Sequence, residues 1–407
     1  MTSTSEAFVW VWLPGSAEPV PAGRLELRSD GLWFGYGRGY LARHDAISLA
    51  PSLPLTTDEF GPDADLGMPG ALRDGAPDAW GRRVILHALT DARGRDVETG
   101  DLTELTYLLA SGSNRLGAID FQASATRYVS RTDTASLDEL GRAAQIVDEG
   151  GELPVALASA LVHGTSMGGA HPKALIADGD TELLAKFSTS DDILPVVKAE
   201  AASIELARHV GLDVPAARLV RAAGRDALLI ERFDRPGGGR RIPVVSALTL
   251  SGLGEMTARY GSYVDLLASL RESGSDAGEE LFRRVAFNIA ISNTDDHLRN
   301  HAAFWDGRAL ALTPAYDLSP MSRTGETASQ AIAYGADGQR DSNLATLVRY
   351  CGEYGLSRRR GHDVAQAVVT AIHDNWDSAA DVAQLTQAER AVLLGRQFLN
   401  PGSIRGL

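Results

Sequence analysis

Ile291-Ser-Asn-Thr-Asp-Asp-His-Leu-Arg-Asn-His301 follows a stretch with helical periodicity and precedes a stretch that reads as a hairpin. Asp295 and Asn300 stand in D-x-x-x-x-N spacing, and Asp317 comes just after the hairpin. Phosphoryl transfer needs a carboxylate that orients the attacking hydroxyl and accepts its proton. It also needs an amide and a second carboxylate to hold Mg2+ on the nucleotide phosphates. A kinase catalytic loop presents those groups in this order. Asp295 is therefore the candidate base, and Asn300 and Asp317 are the candidate metal ligands, with the hard oxygens that suit Mg2+. The spacing alone is common, because Asp and Asn also build polar turns. The upstream half of the chain decides between the two readings.

Between about 155 and 236 the order reads strand, glycine-rich loop, hairpin, helix, hairpin. Gly164-Thr-Ser-Met-Gly-Gly-Ala-His-Pro-Lys173 is a loop able to turn backbone N–H groups toward phosphates. Lys173-Ala-Leu-Ile-Ala177 and Thr181 to Phe187 flank Asp178-Gly-Asp180, and Lys186 falls on the second strand of that hairpin. A strand lysine there would pair with phosphate oxygens. The helix expected from Val196 to Val210 opens after Pro195 and closes at Gly211. Val197, Glu200, Ile204 and Ala207 share one of its faces. A carboxylate in that apolar stripe needs a partner, and Lys186 is the natural one. Glu231-Arg-Phe-Asp234 ends the next strand, where a two-lobed kinase receives adenine. Gly237-Gly-Gly239 beyond it reads as a flexible joint.

Phe8 to Leu13 is β-prone, and Leu25–Ser29 and Leu32–Tyr36 flank the hairpin signal Asp30-Gly31. Ala79 to Leu89 reads as helix, and helices are also expected over 262–272, 277–293, 342–354, 363–376 and 387–396. The 407 residues hold 39 Lys and Arg against 53 Asp and Glu, a net charge of −14. So acidic a chain is a poor candidate for holding nucleic acid by its own charge. A length near 400 predicts two or three domains at about 150 residues each. One cysteine, Cys351, excludes an internal disulfide and a multi-cysteine zinc site. No stretch approaches the ~20 apolar residues of a membrane span. The start, Met1 to Gly15, lacks the basic region of a signal peptide. The expectation is a soluble cytoplasmic protein with no membrane role.

The sequence resembles the HipA-family serine/threonine kinases, the toxins of HipBA-type type II toxin–antitoxin modules. The resemblance is carried by Ala76-Pro-Asp-Ala-Trp-Gly-Arg-Arg83, Ser166-Met-Gly-Gly-Ala-His-Pro-Lys173, Glu200, Gly211-Leu212, Glu231-Arg-Phe-Asp-Arg235, Asn293-Thr-Asp-Asp-His-Leu-Arg-Asn300 and Leu312-Thr-Pro-Ala-Tyr-Asp317. It implies an α+β, two-lobed protein-kinase-like fold with an extra N-terminal β-rich subdomain and a mostly helical C-terminal lobe. The parts fall at 1–125, 126–236 and 237–407. The cofactors implied are ATP and Mg2+. Asp295 falls on the catalytic Asp. Gly168, Gly169, Ala170, His171, Pro172, Lys173, Lys186, Glu231, Arg232, Phe233, His297, Asn300, Tyr316 and Asp317 fall on nucleotide-contacting positions, with Asn300 and Asp317 also on the metal. Ser166 falls on the loop serine whose autophosphorylation switches family members off. The partners implied are a small helix-turn-helix HipB-like antitoxin and a protein substrate such as an aminoacyl-tRNA synthetase. Operator DNA is reached indirectly, through the antitoxin. Asp296 departs from the pattern, since some members have Gly there. It sets a second carboxylate beside the base.

Four other readings compete. Gly164-Thr-Ser166-Met-Gly168 spells the G-x-S-x-G elbow of a serine hydrolase, but the elbow must lead straight into a helix, and Gly169 and Pro172 oppose one. A catalytically silent kinase-like module that only binds a partner would not need Asp295, Asn300, Asp317 and Lys186 together. His297 and His301 are spaced as a metal pair, but the Glu of H-E-x-x-H is missing. Arg358-Arg-Arg360 reads as a solvated helix start rather than a nucleic-acid patch.

Overall fold

The computed structural model describes residues 5–90, 102–132, 135–151, 154–164, 171–189 and 192–407. The chain forms two compact units. The first comprises Met1–Thr189, Val220–Val245 and Phe304–Gly307; the second comprises Ser190–Leu219, Ser246–Ala303 and Arg308–Leu407. The three-part division expected from the sequence cuts the chain differently. The helix Val196–Val210 goes with the second unit, and the chain passes between units at Val245 and Ser246 rather than at the glycines. Gly237, Gly238 and Gly239 all have positive φ. They form a turn pinned to the first unit, where the Gly238 N–H donates to the Asp180 carboxylate at 3.0 and 3.1 Å. A Cβ on Gly237 would lie 2.7 Å from Asp180 Oδ2, so the turn requires glycine there.

The first unit holds two antiparallel sheets. β1 (Glu6–Trp12), β2 (Pro19–Arg28), β3 (Gly31–Tyr36), β4 (Glu59–Phe60) and β5 (Ile119–Gln122) lie in the order β4-β3-β2-β1-β5. The aromatic and β-branched run of β1 lies inside that sheet, paired with β2 on one side and β5 on the other. The β2–β3 turn falls at Asp30-Gly31, with Arg28 opposite Gly31. β6 (Lys173–Asp178), β7 (Thr181–Phe187), β8 (Ala217–Ala222) and β9 (Arg225–Glu231) form the second sheet, ordered β6-β7-β9-β8.

Strand periodicity gives the second sheet two unlike faces. Ala174, Leu183, Ala185, Phe187, Ala227 and Leu229 face an apolar cluster shared with Trp80, Val84, Ile85, Tyr107, Leu140, Val147 and Leu161. The cluster is roofed by the helices Ala79–Leu89, Leu137–Asp148 and Val155–Gly164. The last of these corrects the sequence reading, which placed a strand there. A short apolar run does not declare its period. Leu157 and Leu161, one helical turn apart, both meet the cluster, and the alanines between them favour helix.

In the second unit the helix Val196–Val210 ends at Gly211 with φ +83°, whose N–H reaches Ala207 O and Arg208 O. That helix packs on the long helix Arg358–Val382, as does the helix Gly278–Ala290. Lys198 and Glu389 add an ion pair at 3.3 Å. Gly361 lets the long helix approach the 3₁₀ turn Cys351–Tyr354, because a Cβ there would lie 2.5 Å from Cys351 Cβ. β10 (Val244–Ser246), β11 (Ala302–Trp305) and β12 (Leu310–Leu312) form a small third sheet. Its β11–β12 hairpin is the one expected after the 291–301 sequence.

Candidate functional site

The loop 291–301 leaves the helix Gly278–Ala290 and is tied down at each end. Asn293 donates from Nδ2 to Asn288 Oδ1 at 3.1 Å, and its N–H donates to Asn288 O at 2.8 Å. A short 3₁₀ turn, Leu298–Asn300, closes the loop, and the Asn300 N–H bonds His297 O at 2.8 Å. The hairpin then returns the chain. Thr313 N–H and Oγ1 both donate to Ala302 O at 3.1 Å. Two further bonds bring the Asp317 segment against the loop: Tyr316 OH to Arg299 O at 2.7 Å, and Asn293 Nδ2 to Asp317 O at 3.3 Å. The D-x-x-x-x-N loop and the following Asp, separate in sequence, therefore converge. Asp295 is exposed, Asn300 is buried and Asp317 is half-buried. Asp317 holds the left-handed backbone, φ +58°.

Asp296 is not a second free carboxylate beside Asp295. It is 1% exposed, and its Oδ2 accepts from Asn288 Nδ2 at 2.7 Å, from His301 Nε2 at 2.9 Å and from the Tyr263 hydroxyl. His301 thus serves the interior of the loop, so the His297/His301 metal pair does not form along that path. His297 is half-buried at the start of the 3₁₀ turn.

The first unit carries the other expected groups. Lys173 and Lys186 are directly opposed in the β6–β7 ladder, so both lie on the sheet face away from the apolar cluster. Lys173 is buried, with its carbonyl taken by Trp80 Nε1 at 3.0 Å, and Pro172 O accepts from the Phe187 N–H. His171 is exposed. Ser166, Gly168, Gly169 and Ala170 lie outside the described residues. Lys186 belongs to the first unit, whereas Glu200, 2% exposed, belongs to the second. Glu231 is exposed at the end of β9, and Phe233 meets Phe304 edge-on with ring centroids 5.8 Å apart.

The side chain of Arg232 faces the interior of the unit. Its guanidinium bonds both oxygens of Asp234 at 2.7 and 3.0 Å, Asn114 Oδ1 at 2.6 Å and Arg115 O at 2.6 Å. Asp234 Oδ2 also accepts from Arg235 Nη1 at 2.9 Å and from the Gly117 N–H at 2.7 Å. Arg232 therefore offers a ligand its backbone only. Nothing in the Glu-Arg-Phe-Asp-Arg run announces this, except that four charged residues so close to a buried strand must find partners.

Burial raises the Asp234 carboxyl, but Arg232 and Arg235 more than offset it and hold it at about 2. A depressed carboxyl stabilises the fold above its unfolded value of about 3.9, and that contribution fades as pH falls toward 2. Asp234→Asn is expected to cost about 2 kcal/mol near neutrality. The gap from wild type should shrink through that acid range in chemical-denaturation curves; a gap independent of pH would exclude the ion network as its source.

An α+β fold with the β6–β7 hairpin in one unit and a loop–hairpin–Asp array in the other fits a kinase-like class. The HipA N-terminal domain family matches residues 11–122, and the HipA-like C-terminal domain family matches 165–376. The chain belongs to the HipA family. The toxin YjjJ of Escherichia coli (strain K12) is 25% identical over 280 residues, covering 63% of this chain and 60% of that toxin. A Sinorhizobium fredii (strain NBRC 101917 / NGR234) protein named "Putative kinase Y4dM" is 32% identical over 138 residues, covering 30% of this chain and 34% of that protein. The chain thus spans less than two thirds of the length of these relatives. The fold is shared with a chain of the Shewanella oneidensis MR-1 complex of HipA, HipB and operator DNA, at TM-score 0.59 and 18% identity over 94% of this chain and 97% of that one. No helix among the described residues is long and apolar enough to cross a membrane.

Proposed function

We propose that the chain is an ATP- and Mg2+-dependent serine/threonine protein kinase acting as the toxin of a toxin–antitoxin pair. The observation that carries this reading is the convergence of the chain segments bearing exposed Asp295, buried Asn300 and half-buried Asp317 through the Tyr316–Arg299 and Asn293–Asp317 bonds. Asp295 takes the proton of the attacking hydroxyl. The Asn300 amide and Asp317 carboxylate supply the hard oxygens that Mg2+ prefers; the bound ion neutralises phosphate charge. Lys173 and Lys186 contribute positive charge to the phosphates, and Lys186 pairs with Glu200 when nucleotide is bound. The backbone of 231–233 receives the adenine.

By its likeness to the Shewanella protein, the chain takes a small HipB-like antitoxin as partner. With a net charge of −14 it meets operator DNA through that partner. Its target is a component of translation such as an aminoacyl-tRNA synthetase.

Autophosphorylation of Ser166 switches it off. The phosphate adds about −1.5 to −2 charges beside a loop that must cradle phosphates, which favours a state unable to bind ATP. The test is incubation of purified protein with Mg-ATP, followed by peptide mass spectrometry and nucleotide-binding calorimetry. Phosphate on Ser166 with lost ATP binding supports the reading. Phosphate elsewhere only, or undiminished ATP affinity, removes the switch; no ATP turnover at all removes the kinase.

A further inference from the structure

A buried hydrogen-bond chain runs under the phosphoryl-transfer loop, and the kinase reading does not use it. Its centre is Asp296, where a single oxygen takes three donors: the Tyr263 hydroxyl, Asn288 Nδ2 and His301 Nε2. Tyr263 and Asn288 are 0% and 1% exposed. Tyr263 also packs edge-on against the His301 ring, centroids 5.0 Å apart. His301 Nδ1 is buried and finds no hydrogen-bond partner among the described residues. That fits the tautomer with the proton on Nε2, since an unpaired lone pair is cheaper to bury than an unpaired N–H. Asn288 stands near the end of the helix Gly278–Ala290, a rigid post. From it the chain continues to Asn293 and on to the Asp317 carbonyl. Gln330 Nε2 holds the Asn293 carbonyl from the other side at 3.0 Å.

We propose that Asp296 is the positioning residue of the phosphoryl-transfer loop: drawn inward by Tyr263, Asn288 and His301, it turns Asp295 outward and, through Asn288 and Asn293, fixes the backbone of Asp317. The proposal rests on the kinase reading. Asp296 itself is poorly placed as an alternative base, because it is 1% exposed and its Oδ2 already takes three donors. A neutral amide in its place keeps the volume but offers one acceptor and two new donors to three donors. The loop then loses its single setting, and a misplacement of about 1 Å is enough to cost about 100-fold in rate.

The experiment is steady-state phosphoryl transfer by Asp296→Asn and Tyr263→Phe, each alone and in the Asp295→Ala background, with thermal unfolding alongside. Asp296→Asn is expected to lower kcat about 10- to 100-fold with the KM for ATP within about threefold. In the Asp295→Ala background the same change should cost clearly less than in the wild type, because one of the two groups it positions is gone and only its hold on the Asp317 backbone remains. A merely structural role would multiply the two losses. If Asp296→Asn does not fold, Tyr263→Phe decides, with an expected kcat loss of about 3- to 10-fold and the same non-additivity. Wild-type kcat in the folded variants, or full additivity with Asp295→Ala, overturns the proposal alone. An inert wild type overturns the kinase reading and this proposal with it.

Discussion

Asp295→Ala should reduce phosphoryl transfer by about three orders of magnitude while leaving ATP affinity within about threefold. The expectation rests on where the carboxylate stands. Asp295 is exposed, and no side chain among the described residues holds it. A base must trade a proton with an incoming hydroxyl, so it cannot be locked in an ion pair. Its neighbour Asp296 shows the opposite condition, buried and bonded three times over. Because Asp295 is exposed and no side chain among the described residues pairs with it, its loss should move stability by no more than about 0.5 kcal/mol. The paired result, a dead enzyme with an unchanged melting curve, separates chemistry from folding. Transfer at the wild-type rate by the purified variant would show that Asp295 is not the base.

Much of the scaffold was written locally. The helices Ala79–Leu89 and Val196–Val210 appear at their expected bounds, the second because Pro195 and Gly211 mark its ends within a turn of themselves. The order of loop, hairpin and Asp was likewise legible, because it is carried by residue types at short spacing. The helix expected over 363–376 instead spans Arg358–Val382. Ser357 caps it by accepting from the Arg360 N–H at 3.2 Å, and Arg360 is neutralised by Glu279 at 2.6 Å. Three arginines at a helix start oppose its dipole, and Glu279 offsets one of them; the run that reads as a solvated helix start in the sequence is where the helix begins.

Orientation was the harder part. Nothing within 291–301 tells which of two adjacent aspartates turns inward. Tyr263 and Asn288, on two other helices, decide it. Arg232 is the same case in the first unit, drawn inward by Asn114 and the Arg115 carbonyl. Residue type announces chemistry, but partners far along the chain choose which copy performs it.

Asp317 offers the sharpest separation of function from stability. Its φ of +58° lies in the left-handed region, where a side chain costs about 1–2 kcal/mol and Asp is tolerated better than most residues. Its carbonyl accepts from Asn293 Nδ2 at 3.3 Å and from the Ser319 N–H at 2.9 Å, so the backbone is held there by the loop itself. Glycine would suit that conformation better, yet the position carries a carboxylate. Asp317→Gly and Asp317→Ala should both lose phosphoryl transfer by about 100- to 1,000-fold, the cost of one preorganised electrostatic contact. Both should also weaken the dependence of nucleotide affinity on Mg2+. Their stabilities should part. Asp317→Ala is strained at positive φ and should unfold more readily than Asp317→Gly by about 1 kcal/mol. Calorimetric titration of ATP with and without Mg2+, read beside denaturant unfolding, gives both numbers from one preparation. If Asp317→Gly binds Mg-ATP as the wild type does, the carboxylate is not a metal ligand, and the strained backbone at 317 would have to serve the loop rather than the chemistry.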